Sequence, residues 1–144
     1  MTKPEERKQA LVALFNERAA IARTFGMRLH FEDDRAVVVL PYNPGLDHAA
    51  EGIHGGVYMT LLDTAAWFAA AVSRGEDAWI ATSEMSVHFL KPTARTELRC
   101  VGRLLKAGKR QDIAEAHLYD GAGDLVGHAV GTVLVLPHLP LKGP

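Results

Sequence analysis

The stretch EGIHGGVYMTLLDTAAWFAA, residues 51–70, places one acid, Asp63, in a run that holds no other charge after His54. Aspartate is a poor helix-interior residue and is almost never fully buried without a partner. A carboxylate held in a low-dielectric cleft gains basicity and serves as a general base or a nucleophile. The structural alternative is an acid that caps a neighbouring backbone turn, or that meets Arg74 or a residue across an interface. Nine positions before Asp63, His54-Gly55-Gly56 sets two residues without side chains at the start of a helix, where the first N–H groups are unpaired and point outward. Such amides bind anions, so Gly55 or Gly56 is placed to stabilise a carbonyl oxygen as it becomes an oxyanion. The same Gly-Gly also suits a plain tight turn, and His54 suits a histidine that hydrogen-bonds a backbone carbonyl to fix that turn.

The elements that must position these residues are legible in the hydrophobic pattern. Residues 3–25 read as a charged amphipathic helix, with Leu11, Leu14, Phe15, Ala19 and Ala22 on one stripe and Gly26 as its stop. Two β-rich runs around Asp33-Asp34 form a hairpin that ends at the Pro and Gly punctuation of residues 41–45. From Val57 to Val72 the chain is apolar on nearly every face, which describes a helix buried all round. After Trp79 the period becomes two: Met85, Val87 and Phe89 alternate with Glu84, Ser86 and His88, and the segment stops at Pro92. Three more strands, in ELRCVGRLLK, QDIAEAHLY and LVGHAVGTVLVLP, are joined by glycine turns and predict an antiparallel meander. The expected fold class is α+β: an antiparallel sheet wrapped around a central buried helix, with an extra N-terminal helix.

With 144 residues, 48% hydrophobic and 23% charged, the chain reads as one domain over 1–144, large enough to fold without metal or disulfide. Its single cysteine, Cys100, closes no intrachain bridge, and the N-terminus has no apolar signal core, so a cytoplasmic location is expected. A net charge of −1 argues against nucleic acid as partner, and no membrane partner is expected. There is no G-x-S-x-G elbow, phosphate loop or dinucleotide fingerprint, and His48, His54 and Asp63 match no metal-ligand spacing. No metal and no cofactor beyond water is therefore expected.

Taken together, HGG with an acid nine positions on, TSEMSVHFLKP from Thr82 to Pro92, and KAGKRQDIAEAHLYDGAGDLVGHAVGT resemble the hotdog-fold acyl-CoA thioesterases. The resemblance is closest to the phenylacetic acid degradation branch of the 4-hydroxybenzoyl-CoA thioesterase superfamily, and it covers about residues 26–136. It implies a hotdog fold and hydrolysis of an aryl- or fatty-acyl-CoA to free acid and CoA. Asp63 would attack the thioester or activate water. Gly55 would donate its N–H to the oxyanion with Gly56 as a second donor, His54 would orient or polarise the carbonyl, and Thr82 would hold the water, with Ser83 as its neighbouring alternative.

Six residues before His54, related enzymes place an Asn or Gln; this chain has His48, whose neutral imidazole donates one hydrogen bond, with Asn43 as the alternative if the loop takes another path. Lys109 and Arg110, with Lys91, Arg95 and Lys106, are candidates for the CoA phosphates, although charges in strand-end turns are mostly solvated. Tyr58, Met59, Leu62 and Trp67 are candidates for the acyl pocket, or plain core. The family pairs two subunits edge to edge, with HGG from one chain and Asp from the other, so a homodimer and a dimer of dimers (a homotetramer) are implied. The rival readings are a catalytically silent acyl-CoA binding module and a hotdog enoyl-thioester hydratase.

Overall fold

The hairpin around Asp33 forms as β1 (Arg28–Glu32) and β2 (Arg35–Leu40), in antiparallel register from Arg28 opposite Val39 to Glu32 opposite Arg35. Four further strands follow: β3 (Trp79–Phe89), β4 (Leu98–Lys106), β5 (Gln111–Asp120) and β6 (Leu125–Leu136). All six join one antiparallel sheet in the order β1-β2-β4-β5-β6-β3. The meander expected from β3 onward therefore holds only for β4, β5 and β6. β3 pairs with β6 instead, at the far edge, and the segment after Pro92 carries the chain back across the sheet to β2. The computed structural model describes residues 1–75 and 77–141.

Two shorter helices, α1 (Lys3–Ala13) and α2 (Ala20–Phe25), precede the sheet. The sequence pattern predicts one helix over 3–25; the chain instead widens into a π-turn at Leu14–Arg18 and breaks at Ala19, whose ψ is 114°. The break re-aims the second half so that both pieces bury their stripe, Leu11 and Phe15 before it and Ala22 after it. Thr2 and Glu5 cap α1 reciprocally, and Gly26 ends α2 at φ 88°, a left-handed value that glycine adopts without strain.

The central helix, α3 (Gly55–Ser73), lies across the sheet. By length and composition it is apolar enough to cross a membrane, but here its buried side packs on the protein's own strands. Leu61, Leu62, Ala65, Ala66, Ala69 and Ala70 share one buried cluster with Leu98, Cys100, Ala114, Ala116, Leu118 and Ala129 of the sheet. The small residues bring backbones close. A Cβ at Gly102 would sit 2.0 Å from the Ala65 carbonyl oxygen, so only glycine fits where α3 crosses β4. At its C-terminal end α3 is anchored by Arg74, which donates to both oxygens of the buried Asp112 at 2.7 and 2.9 Å and to the Gly108 carbonyl at 2.6 Å. Burial pushes the Cys100 thiol well above its ordinary range, which keeps it protonated and inert.

Candidate active site

Asp63 lies on the third turn of α3, half-buried. The Thr82 hydroxyl donates to its Oδ1 at 2.6 Å from β3. The side chain of Arg74, the ion-pair alternative open in the sequence, is directed to Asp112. Thr82 owes its aim to a register shift: it pairs with Val133 while Glu84 pairs with Thr132, leaving Ser83 as the extra residue of a β-bulge. Before the bulge Ile80 faces the core, and after it Met85 and Val87 do. The Ser83 hydroxyl is turned away from Asp63 and donates to the Thr132 carbonyl at 3.2 Å. Thr82, and not Ser83, is therefore the hydroxyl that reaches the acid.

Asp63 opens on a cleft of about 390 Å³ lined by Phe15, Arg18, Ile21, Trp67, Phe68 and Trp79 among others. Aromatic edges build its wall. Trp67 stands 5.0 Å from Trp79 and 4.8 Å from Phe68, and Phe68 meets Phe15 edge-on at 5.3 Å. The Trp67 indole donates to the Ile80 carbonyl at 2.8 Å, which fixes its ring. Of the four residues expected to line an acyl pocket, Trp67 is found here. Leu62 is core at 0% exposure, Met59 faces outward at 49%, and Tyr58 is buried with its hydroxyl on the Lys91 carbonyl at 2.7 Å. The N-terminal helix lies outside the stretch covered by the family resemblance, yet its π-turn supplies Leu14, Phe15 and Arg18 to the cleft. The apolar stripe of that helix was the signal: it had to pack on something, and it packs beside Asp63.

The HGG turn stands at the N-terminus of α3, two turns before Asp63. His54 is its N-cap, with Nδ1 accepting the Gly56 N–H at 2.8 Å. That bond fixes the turn through a backbone N–H that the imidazole accepts, where a bond to a backbone carbonyl was expected, and it takes Gly56 out of the set of available donors. A neutral imidazole that accepts at Nδ1 carries its proton on Nε2, which leaves one donor free to solvent. Gly55 keeps an N–H without a backbone acceptor among the described residues, under the Phe89 ring, which a Cβ at Gly55 would meet at 3.3 Å. His48 lies in the same loop. Its N–H donates to the Gly52 carbonyl at 2.8 Å, its Nδ1 accepts from Ala50 at 3.1 Å, and an isolated bridge between Asp47 and Ile53 closes the loop. Asn43 is committed elsewhere, accepting from Gly45 and donating to the Phe25 carbonyl, each at 3.0 Å.

The basic candidates divide between the two ends of α3. Lys91 and Arg95 flank the HGG loop, where Lys91 meets Asp124 at 2.8 Å and Arg95 meets Glu51 at 3.5 Å. Lys109 and Arg110 are exposed in the β4–β5 turn, which the Arg74–Asp112 pair ties to the C-terminal end of α3; Lys106 is exposed at the end of β4. One chain thus holds two separate groupings, Asp63 with Thr82 and the aromatic cleft, and His48 with His54 and Gly55.

Residues 52–126 match the family described as the thioesterase superfamily. The chain belongs to that superfamily. A Saccharolobus solfataricus protein, provisionally named as an esterase, is 26% identical over 134 residues, 92% of this chain and 94% of that relative. Among solved structures, a conserved protein of Pseudomonas aeruginosa is 31% identical with a TM-score of 0.76, covering 82% of this chain and 94% of that one. The PaaI protein from the phenylacetic acid degradation operon of E. coli has a TM-score of 0.77 at 20% identity, over 93% of this chain and 94% of that one, a likeness of fold. The wrapped-helix sheet of this chain is thus the hotdog fold of the thioesterases.

Proposed function

We propose that this member of the superfamily hydrolyses the thioester of an aryl- or fatty-acyl-CoA to free acid and CoA at a site shared between two subunits. The observation that carries the reading is the Thr82–Asp63 bond at 2.6 Å, at the mouth of an aromatic cleft. Thr82 spends its only hydrogen on Oδ1, which holds the carboxylate in one orientation and leaves Oδ2 to attack the carbonyl carbon or to deprotonate water. The lone pairs of the same hydroxyl can accept from that water, so one side chain orients both the acid and its substrate water. The Gly55 N–H, at the positive end of α3, receives the oxyanion, and the Nε2–H of His54 polarises the carbonyl. His48 occupies the position of the family amide and stiffens the loop that presents Gly55.

Helix geometry supports the sharing. Asp63 follows Gly55 by eight positions, about 12 Å along a helix at 1.5 Å per residue. Both groups must come within roughly 3 Å of one thioester carbonyl. One subunit does not span that gap, whereas a second copy brings its HGG turn to the Asp63 of the first. The unpaired edge of β3, next to the Thr82 bulge, offers the seam for a homodimer, and a dimer of dimers follows the family pattern.

Thiol release measured with a colour reagent across phenylacetyl-, hydroxybenzoyl-, short-, medium- and long-chain acyl-CoA esters tests the proposal. Wild type is expected to hydrolyse at least one class, and Asp63→Ala and Asp63→Asn to lose about a hundredfold or more of kcat with the fold intact. Near-normal turnover in both variants would remove Asp63 from the chemistry. Binding without thiol release by wild type would favour the silent acyl-CoA module, and loss or gain of an enoyl chromophore the hydratase.

A further inference from the structure

On the outer face of the sheet, away from the Asp63 cleft, three side chains with metal-binding atoms converge. Glu115 and His117 are two apart on β5 and so share a face, and His128 of β6 lies directly opposite His117 in the register. One ligand atom from each lies within 4.8 Å of the other two, and all three side chains are half-buried. The imidazoles of His117 and His128 are 4.8 Å apart, and His128 Nε2 is 3.2 Å from Glu115 Oε2. Arg103 donates to the other carboxylate oxygen, Oε1, at 2.6 Å, which leaves Oε2 directed at the histidines. His88, opposite His128 on β3, stacks on it at 5.9 Å and limits its ring from the other side.

We propose that Glu115, His117 and His128 form a binding site for a divalent transition-metal ion of the zinc class, separate from the thioester chemistry. Two imidazoles and one carboxylate are a donor set that zinc accepts, at about 2.0–2.2 Å per bond. The strands supply the frame: side chains directly opposite on antiparallel strands have Cβ atoms about 4.5–5.5 Å apart, so rotation of three side chains draws their donors onto one ion. The ion takes the place of the His128–Glu115 hydrogen bond, while Arg103 continues to hold the carboxylate from behind. Three protein donors leave a tetrahedral position for water, and His117 borders an open groove of about 630 Å³ through which ion and water enter. An ion pair with Arg103 explains Glu115 alone; it does not explain why two imidazoles crowd the same carboxylate across two strands.

Untagged, chelator-treated full-length protein titrated with zinc sulfate in a calorimeter tests the site, with cobalt(II) absorption reporting the geometry. Wild type is expected to bind about one zinc per chain with a micromolar or tighter Kd, and to give cobalt bands of a four-coordinate nitrogen–oxygen site. His117→Ala and His128→Ala are each expected to weaken zinc binding at least tenfold, and Glu115→Gln, which keeps the size of the side chain, to do the same. Circular dichroism checks that each variant is folded. No zinc binding by wild type at 100-fold molar excess would overturn the proposal, as would unchanged affinity in a folded His117→Ala/His128→Ala variant, which would put the ion elsewhere. Thiol release is not the readout, so failure of the thioesterase reading leaves this test intact.

Discussion

Among the described residues, the side chain of Asp63 is held by a short hydrogen bond from Thr82, across nineteen positions of sequence. Hydrogen bonds to charged groups contribute about 1.5–3 kcal/mol. Thr82→Val, which keeps the shape and removes the donor, is therefore expected to lower stability in urea by no more than about that amount, with the fold intact, and to lower kcat for thiol release by roughly ten- to a hundredfold. An unaltered kcat would reduce Thr82 to a packing residue. His48 makes a gentler prediction: its Nδ1 accepts the Ala50 N–H, a bond that an Asn side-chain oxygen can reproduce. His48→Asn is expected to keep kcat/KM within a few-fold of wild type in the same assay. A dead His48→Asn would show that the imidazole does something an amide cannot. At this scale the acid and the pair of glycine amides were named from residue types and spacing, and Gly55 over Gly56, with Thr82, from the family resemblance. Exclusion of Gly56 and Ser83 required hydrogen bonds, because neither the His54 acceptor nor the Thr132 carbonyl can be assigned from a one-dimensional pattern.

The elements hold these residues through close backbone contacts. β4 passes under α3 at Gly102, where a methyl group would meet the Ala65 carbonyl at 2.0 Å. Gly102→Ala must lift the helix or bend the strand, and overpacking of this kind costs about 1–3 kcal/mol. Urea unfolding is expected to show that loss, with reduced thiol release as well, since Ala65 is two residues from Asp63. A variant as stable and active as wild type would mean that the helix rides higher over β4 than its contacts indicate. Alternation and turn residues marked all six strands and the buried helix, because one-sided burial imposes its period directly on the sequence. The split of the N-terminal helix was not legible: Leu14–Arg18 contains no Gly or Pro to mark a break, and the break at Ala19 comes from the need to wrap both halves onto the sheet and α3. β3 was likewise placed beside β4, its neighbour in the chain, whereas the structure sends it to β6.

At the scale of the whole molecule, the separation of Gly55 from Asp63 along one rigid helix makes the proposed reaction a property of two chains. Gly55→Pro removes the proposed oxyanion N–H, and proline is well accepted at the first position of a helix. Gly55→Pro and Asp63→Ala are each expected to be inactive alone. Unfolded together and refolded as mixed dimers, they should recover about a quarter of the wild-type rate, since half the dimers are mixed and each mixed dimer has one intact site. Thiol release from the refolded mixture checks this, and no recovery from folded mixed dimers would mean that both groups act within one chain.

By itself the sequence determined the α+β class, the six strands, the buried helix with its anomalous acid, and the family to which HGG and Asp63 point. These are local facts, carried by periodicity, punctuation and short spacings. Only the tertiary structure decided that β3 lies at the sheet edge, that the π-turn of the N-terminal helix walls the cleft of Asp63, and that Glu115, His117 and His128 meet on the outer face. Each of these depends on strand order or register between segments far apart in the chain. Such pairings are settled by how all the apolar faces are buried at once, which no single segment encodes.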